Sequence, residues 1–207
     1  MNHAAALRVR HVATAPFLVL VGAACLGLAA CSLPGPAPAV YVLGPLPSAK
    51  PTVLSQTGMP VVEVKRVQVP DYLDTTDIVE RSGNQLIPSS TGRWGERLSL
   101  GMTRALIAAL SARLPGVVVT ASPVTRPSRQ ILVDAVAFEV TPDHQVLFVA
   151  RWTVLGTASP QVHGAEQTSL VEKVSGDGDG AIVAAMSKAV DDLAGRLAAE
   201  IERDLRP

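Results

Sequence analysis

One cysteine near the N-terminus stands where its thiol could be chemically modified. Cys31 follows Leu28, Ala29 and Ala30, one aliphatic residue and two small ones. The segment before it has arginines near its start, no acidic residue and an apolar run over 13–30. These are the parts of a secretory signal peptide, which ends in small residues at its cleavage site. The sequence therefore predicts cleavage between Ala30 and Cys31, so that residues 1–30 are a signal peptide.

The four residues from Leu28 to Cys31 match a bacterial lipobox, in which the cysteine is acylated and becomes the first residue of the mature chain. Acyl chains such as palmitate on Cys31 would then attach the chain to a membrane, because two or more chains anchor a protein stably. Ser32 follows, where an aspartate in enterobacteria favours retention in the inner membrane. We therefore expect a lipid-anchored, periplasm-facing protein, with the outer membrane favoured over the inner membrane.

Three other interpretations of the leader agree less well with its residues. A plain signal peptide would tolerate any residue at position 31. A transmembrane anchor needs about 20 apolar residues, and the run over 13–30 is slightly shorter and is followed by prolines. Cys25 is a second candidate for acylation, but Gly22 stands where a lipobox has an aliphatic residue.

The rest of the chain offers little that suggests catalysis, metal binding or nucleic-acid binding. Removing residues 1–30 leaves 16 basic and 18 acidic residues and Cys31 as the remaining cysteine. A nucleic-acid partner would need a basic face, and a disulfide or cysteine-based metal site would need more thiols. His144 and His163 lack the spacing of a zinc site, and there is no Gly-x-Ser-x-Gly motif of a hydrolase. We predict no enzyme activity, no metal and no cofactor.

The glycine-rich segment Gly176–Gly180 contains two aspartates and could suggest calcium. It lacks the twelve-residue spacing and the terminal glutamate of an EF-hand loop. We therefore expect Asp179 to cap the helix that follows.

A proline-rich tether over residues 31–40 precedes a single domain at 41–207. Prolines at alternate positions favour polyproline II, with a rise of about 3.1 Å per residue, so that eight residues span about 25 Å. In the domain, alternating or apolar segments predict strands. These strands are Tyr41–Leu43, Val61–Val69, Ile78–Arg81, Gln85–Ile87, Val117–Thr120, Gln130–Val140, His144–Leu155 and Val162–Val174.

Two segments with apolar residues at helical spacing complete the domain. Helices are predicted over Trp94–Leu114 and Ala181–Leu205, while Pro88–Gly92 is predicted to be a polar connector. Each helix has one apolar stripe, which suits packing on a sheet. The last three strands form an antiparallel meander. The predicted fold class is α/β, with a mixed or antiparallel sheet and two amphipathic helices packed on one face.

Several short motifs lie between residues 67 and 98. The strand ending Val-x-Val-Pro-x-Tyr-Leu-Asp precedes Ile-Val-x-Arg and then Trp-x-Glu-x-Leu, and Tyr-x-Leu lies shortly after the lipobox. This pattern resembles the ABC-type transport auxiliary lipoprotein family. The matching residues are Tyr41, Leu43, Val69, Pro70, Tyr72, Leu73, Asp74, Ile78, Val79, Arg81, Trp94, Glu96 and Leu98. Thr75 and Arg97 depart from the family pattern, which often has Arg and Pro there.

The resemblance implies a mixed α/β periplasmic domain that is an accessory component of an MCE-type (mammalian cell entry) lipid transport system. Its implied partners are an MCE-domain tunnel protein and the associated permease and ATPase, which together link the inner and outer membranes. The resemblance is also compatible with a homo-oligomer. The alternative is a lipoprotein that binds lipid or another hydrophobic molecule on its own, since 48% hydrophobic residues would permit a pocket.

The motif residues also have purely structural interpretations. Pro70–Leu73 is expected to form a packed turn, because proline and aspartate favour turns. Trp94 is expected to start the apolar stripe of the first helix, and Glu96 to lie in its first turn, where a carboxylate complements the helix dipole.

Overall fold

Alternating apolar residues place eight strands in the part of the chain that the structure describes. This computed structural model describes residues 36–44, 58–157 and 162–205. The predicted cleavage site and residues 31–35 of the predicted tether lie outside these ranges. The strands are β1 (Ala39–Tyr41), β2 (Val61–Val64), β3 (Asp77–Ser82), β4 (Gln85–Trp94), β5 (Val118–Thr120), β6 (Arg129–Thr141), β7 (Gln145–Gly156) and β8 (Val162–Lys173).

Strand β6 is the branch point of one mixed sheet. Along one edge it pairs antiparallel with β7, which pairs antiparallel with β8. Its other edge pairs in parallel with β2 near its start and with β3 near its end. From there β2 leads to β5, and β3 leads to β4 and β1. The predicted mixed α/β fold and the predicted meander are therefore confirmed.

Two helices, α1 (Leu98–Arg113) and α2 (Gly178–Leu205), contact each other and the sheet. Each buries an apolar stripe of the predicted spacing, with Met102, Leu106 and Leu110 on α1 among its members. The sheet residues in the same core include Phe138 and Phe148, whose rings meet edge to face at 4.8 Å. The α2 stripe consists of Ile182, Met186, Val190, Leu193, Leu197 and Ile201.

Several boundaries differ from the prediction. The predicted strand Tyr41–Leu43 lies at Ala39–Tyr41, so the last two residues of the predicted tether belong to β1. The second helix begins at Gly178, not at Ala181.

Residues 88–92 belong to β4, so the predicted polar connector is wrong. β1 pairs only with residues 92–94 of β4, so one side of β4 is a sheet edge at Pro88. A proline is tolerated there because its missing N–H is not needed for strand pairing. Trp94 ends β4 rather than starting the helix.

The predicted strand Val61–Val69 is regular only as far as Val64. Beyond that point the chain still follows β6 through single backbone bonds, from the Lys65 N–H to the Ile131 carbonyl and from the Gln68 N–H to the Val133 carbonyl. The apolar pattern continues past the end of the strand because Val67 still faces the core and is 1% exposed.

Candidate functional site

Six apolar residues of the family-like motif lie in the hydrophobic core. Their side chains are buried, with exposures of 1 to 8%. These buried residues belong to the segment after β1, the turn before β3, the strands β3 and β4, and the first turn of α1. The motif therefore lies where these elements meet. The buried members are Leu43, Leu73, Ile78, Val79, Trp94 and Leu98.

A turn over residues 70–74 directs three motif side chains to different places. The backbone N–H groups of Leu73 and Asp74 both donate to the Pro70 carbonyl, at 2.8 and 3.1 Å. Tyr72 is 42% exposed, whereas Leu73 is 1% exposed. The segment is thus the packed turn that its proline and aspartate predict.

Asp74 provides the side-chain cap of α1. The residue at the N-cap position, Arg97, makes no capping bond with its own side chain. Instead, Asp74 Oδ1 accepts the backbone N–H of Ser99 at 3.0 Å. Asp74 Oδ2 lies 3.4 Å from Arg66 Nη2 and 3.3 Å from Arg97 Nη1. Both oxygens of this carboxylate therefore have partners.

The surroundings of Asp74 favour its ionised form. Burial alone would raise the pKa of Asp74, but the hydrogen bonds from Ser99 and the positive charges of Arg66 and Arg97 outweigh it. The pKa of Asp74 consequently lies below the ordinary value of 3.8. A charged acceptor at a helix N-terminus also interacts favourably with the helix dipole.

Glu96 does not lie in the first turn of α1, so that prediction is wrong. The helix begins at Leu98, because the chain leaves β4 at Trp94 and needs three residues to turn. Glu96 Oε1 instead accepts a hydrogen bond from Arg104 Nε at 2.8 Å. Arg104 also donates to the Leu43 carbonyl at 3.2 Å, which joins the segment after β1 to α1.

A second arginine–carboxylate cluster brings Tyr72 and Arg81 together with Glu139. Arg81 Nε donates to Glu139 Oε1, and this bond raises the pKa of Arg81. Arg81 Nη2 lies 3.3 Å from the Tyr72 hydroxyl, and its guanidinium carbon is 5.7 Å from the centre of the Tyr72 ring. Glu139 is opposite Leu147 in the register of β6 and β7, while Phe138 is opposite Phe148 in the core. Glu139 thus lies on the sheet face opposite the helices.

Glu139 is the residue of this cluster that the sequence reasoning missed. It is only 4% exposed, and its Oε2 atom has no hydrogen-bond partner within the described ranges. A buried carboxylate oxygen without a donor is unfavourable by about 1–3 kcal/mol. The one available signal was a glutamate inside the strongly apolar strand β6, where its neighbours Phe138 and Val140 are buried.

The prediction that Asp179 caps α2 is wrong, because the helix begins at Gly178 and Asp179 lies within its first turn. From this position the Asp179 side chain contacts β4. Its Oδ2 accepts a hydrogen bond from Thr91 Oγ1 at 2.6 Å. Gly92 permits this contact, since a Cβ atom at that position would lie 2.6 Å from the carboxylate. Tyr41 lies beside the same junction, where its carbonyl accepts the N–H of Gly95 at 2.7 Å.

The two histidines within the described ranges, His144 and His163, each contact a residue that is distant in the sequence. His163 Nδ1 lies 2.5 Å from Asp204 Oδ1, and Asp204 also accepts a bond from Arg129. His144 Nε2 is 3.1 Å from the Gly176 carbonyl. Across the described ranges, no group of three or more His, Cys, Asp and Glu residues is placed to hold a metal ion. Within the same ranges, no helix has the length and apolarity needed to cross a membrane.

Comparison with protein families identifies one match that covers most of the domain. The family model of the ABC-type transport auxiliary lipoprotein component matches residues 41–198. This range contains the motif turn, both arginine–carboxylate clusters and most of α2.

Individual proteins give the same grouping. The chain is 29% identical to the intermembrane transport lipoprotein PqiC of Escherichia coli K12 over 134 residues. These residues make up 64% of this chain and 71% of PqiC. The identity and coverage are the same for PqiC of Shigella flexneri. A crystal structure of an uncharacterised protein superposes with a TM-score of 0.68 at 23% identity, over 80% of this chain and 99% of the other. The crystal structure of a Xanthomonas campestris protein superposes with a TM-score of 0.62 at 14% identity, over 80% of this chain and 98% of the other. These structures share the fold.

Proposed function

Because the chain belongs to the ABC-type transport auxiliary lipoprotein family, we propose that it is an accessory component of an MCE-type lipid transport system that links the inner and outer membranes. The observation that supports this most strongly is the family match over residues 41–198, together with the similarity to a lipoprotein named for intermembrane transport. In this proposal the protein docks an MCE-domain tunnel protein that works with a permease and an ATPase.

The proposed contribution to transport is positional. Acylated Cys31 holds the domain at the membrane, and the proline-rich segment that follows sets how far the domain reaches from it. Ser32 after the cysteine favours the outer membrane. The motif residues then maintain a rigid junction between β1, β3, β4 and α1, so that the domain presents a fixed surface to its partner. No step in this role requires acid–base chemistry.

Co-purification from native membranes tests the partner. The full lipidated chain, carrying a C-terminal tag, should retain an MCE-domain protein after mild detergent extraction. The same tag on an unrelated lipoprotein is the control for binding through the detergent micelle. If no MCE-domain protein is retained from membranes or with purified components, the proposed partnership is wrong.

Substitution of the cysteines tests the anchor. Cys31→Ser should remove the protein from the outer-membrane fraction and abolish its function, while the circular dichroism spectrum of the domain is unchanged. Cys25→Ser is the matched control, because Cys25 lies in the predicted signal peptide and should be absent from the mature chain. A Cys31→Ser protein that stays in the outer membrane would contradict the proposed attachment.

A further inference from the structure

Strand β8 forms a long edge of the sheet that is unpaired along one side. The strand has 12 residues, Val162–Lys173, and pairs with β7 along its other side. Among the described residues, no further strand pairs with β8. The backbone N–H and C=O groups that point outward from such an edge can bond to an added strand. They define the chemistry of an occupant, which is an extended polypeptide.

The other ends of the sheet are protected against such pairing, whereas β8 is not. The terminal strands β1 and β5 have 3 residues each. The part of β4 that β1 leaves unpaired contains Pro88. Short strands, prolines and lysines keep sheet edges from pairing. Residues 164–172 of β8 include no proline or lysine, and the irregularity in the pairing of β8 with β7 lies before this segment.

The two faces of β8 differ in exposure. Helix α2 contacts the strand on one face, where Thr168 and Leu170 are buried. The alternate residues Gln167, Ser169 and Val171 are exposed on the other face. A strand added to β8 would therefore extend both the helix-covered face and the open face of the sheet.

We infer that the free edge of β8 pairs antiparallel with the same edge of a second copy of this chain, centred on Thr168. A two-fold axis through this centre, perpendicular to the sheet, leaves the helices of both copies on the same side. Two-fold dimers of this kind use one surface patch twice, so that the patch must be complementary to itself. The inference is independent of the proposed role in transport.

The side chains of β8 meet this requirement when the strand is paired with itself. Thr168 lies opposite Thr168 of the second copy on the helix-covered face. On the open face, Ala165 lies opposite Val171, and Gln167 lies opposite Ser169. Threonine pairs and apolar pairs are favourable across antiparallel strands. Within residues 164–172, no two charged side chains lie opposite each other in this register.

Neighbouring registers are less favourable. Moving the centre one residue toward the C-terminus would place Glu166 opposite Glu172, and like charges directly opposite each other are destabilising. Moving it one residue toward the N-terminus would separate Ala165 from Val171. The strand is thus complementary to itself in one register, which is the argument for a second copy rather than a strand of a different protein.

Cysteine cross-linking of the full lipidated chain in mild detergent tests the pairing. On oxidation, Thr168→Cys alone should form a covalent dimer, because opposite Cβ atoms lie about 4.5–5.5 Å apart. A mixture of Gln167→Cys and Ser169→Cys chains should also cross-link. The two tests cover both kinds of opposed pair, which alternate along an antiparallel ladder.

Val171→Cys is the matched control for cross-linking, since Val171 is 56% exposed on the same strand. In the proposed register it lies six residues, or about 20 Å, from Val171 of the second copy. It should therefore give several-fold less covalent dimer than Thr168→Cys. The native chain supplies the baseline from its own cysteines.

Charge substitutions on the open face test the same pairing without a new covalent bond. Gln167→Lys/Ser169→Lys should convert the dimer into a monomer in sedimentation experiments, because lysines would lie opposite lysines. Gln167→Lys/Ser169→Glu is the matched variant and should restore the dimer, because opposite charges then meet. Both positions are exposed in the single chain, so neither variant should change the circular dichroism spectrum.

Three results would overturn the inference. The first is a native full chain that sediments as a monomer. The second is equal cross-linking of Thr168→Cys and Val171→Cys. The third is a dimer that persists unchanged in the double-lysine variant, which would assign the contact between copies to a different surface.

Discussion

Asp74 and Glu139 are carboxylates that both pair with arginine, yet their surroundings differ. Asp74 lies at the start of α1 with partners on both oxygens, one of them the backbone N–H of Ser99. Glu139 lies on the opposite face of the sheet, is more deeply buried, and bonds through one oxygen only. A carboxylate with partners on both oxygens stabilises the fold. When one oxygen of a buried carboxylate has no donor, the unfavourable desolvation of that oxygen cancels part of the stabilisation from the ion pair. Removal of the carboxylate should therefore lower the stability at Asp74 and change it little at Glu139.

The largest loss of stability is expected when the partner of the buried carboxylate is removed. Arg81→Met leaves the Glu139 charge buried without a cation, which is strongly destabilising. We expect a larger fall in the urea midpoint than for any substitution at Asp74. Most of this loss should be recovered in the double variant Arg81→Met/Glu139→Met, which removes both charges. Equal midpoints for the single and double variants would show that the pair is not coupled in this way.

Asp74→Ala should lower the free energy of unfolding by about 2 kcal/mol, because it removes a helix cap and leaves the Ser99 N–H without its acceptor. Urea unfolding followed by circular dichroism measures this change. Asp71→Ala is the matched control, since Asp71 is exposed in the same turn. Its effect should stay within about 0.5 kcal/mol. A loss of the same size for both variants would contradict the assignment of Asp74 as the cap.

The contribution of the Asp74 charge should depend on pH. Its pKa in the folded protein is lowered below 3.8, so the folded state binds the proton less readily than the unfolded state. The stabilisation is therefore complete above pH 3.8 and is lost as the pH falls through the folded-state pKa. The difference in unfolding free energy between the native chain and Asp74→Asn should be constant from pH 5 to 7 and should shrink below pH 4. A difference that grows on acidification would reverse this sign.

Among the substitutions within the two clusters, Glu139→Met is expected to have the smallest effect, within about 1 kcal/mol of the native chain. The substitution removes the oxygen that lacks a donor, and the half-exposed Arg81 can be solvated once its partner is gone. Thermal unfolding by calorimetry measures the change. A loss as large as that of Asp74→Ala would show that the second oxygen is satisfied in solution and that the contrast between the clusters is false.

Local patterns in the sequence were sufficient for most of the elements. The spacing of Met102, Leu106 and Leu110 predicted α1, and that of Ile182, Met186 and Val190 predicted α2, because a helix that packs on a sheet buries one stripe. The predicted strands Ile78–Arg81 and Gln85–Ile87 are separated only by Ser82–Asn84, residues that favour a turn, and they form the β3–β4 hairpin. The motif residues between 67 and 98 indicated the family before any contact was known. Where the first helix starts and where β4 ends could not be read locally, since Trp94 fits either element.

By itself, the sequence determined the signal-peptide pattern, the lipobox-like cysteine, the tether composition, the secondary-structure periods and the family. These properties depend on residue types at short spacing. Only the tertiary structure decided that β6 branches to β2 and β3, that Asp74 caps a helix 24 residues later in the chain, starting at Leu98, and that Glu139 meets Arg81 across 58 positions. Pairings between distant residues depend on how the strands are ordered, and strand order leaves no periodic pattern in the chain.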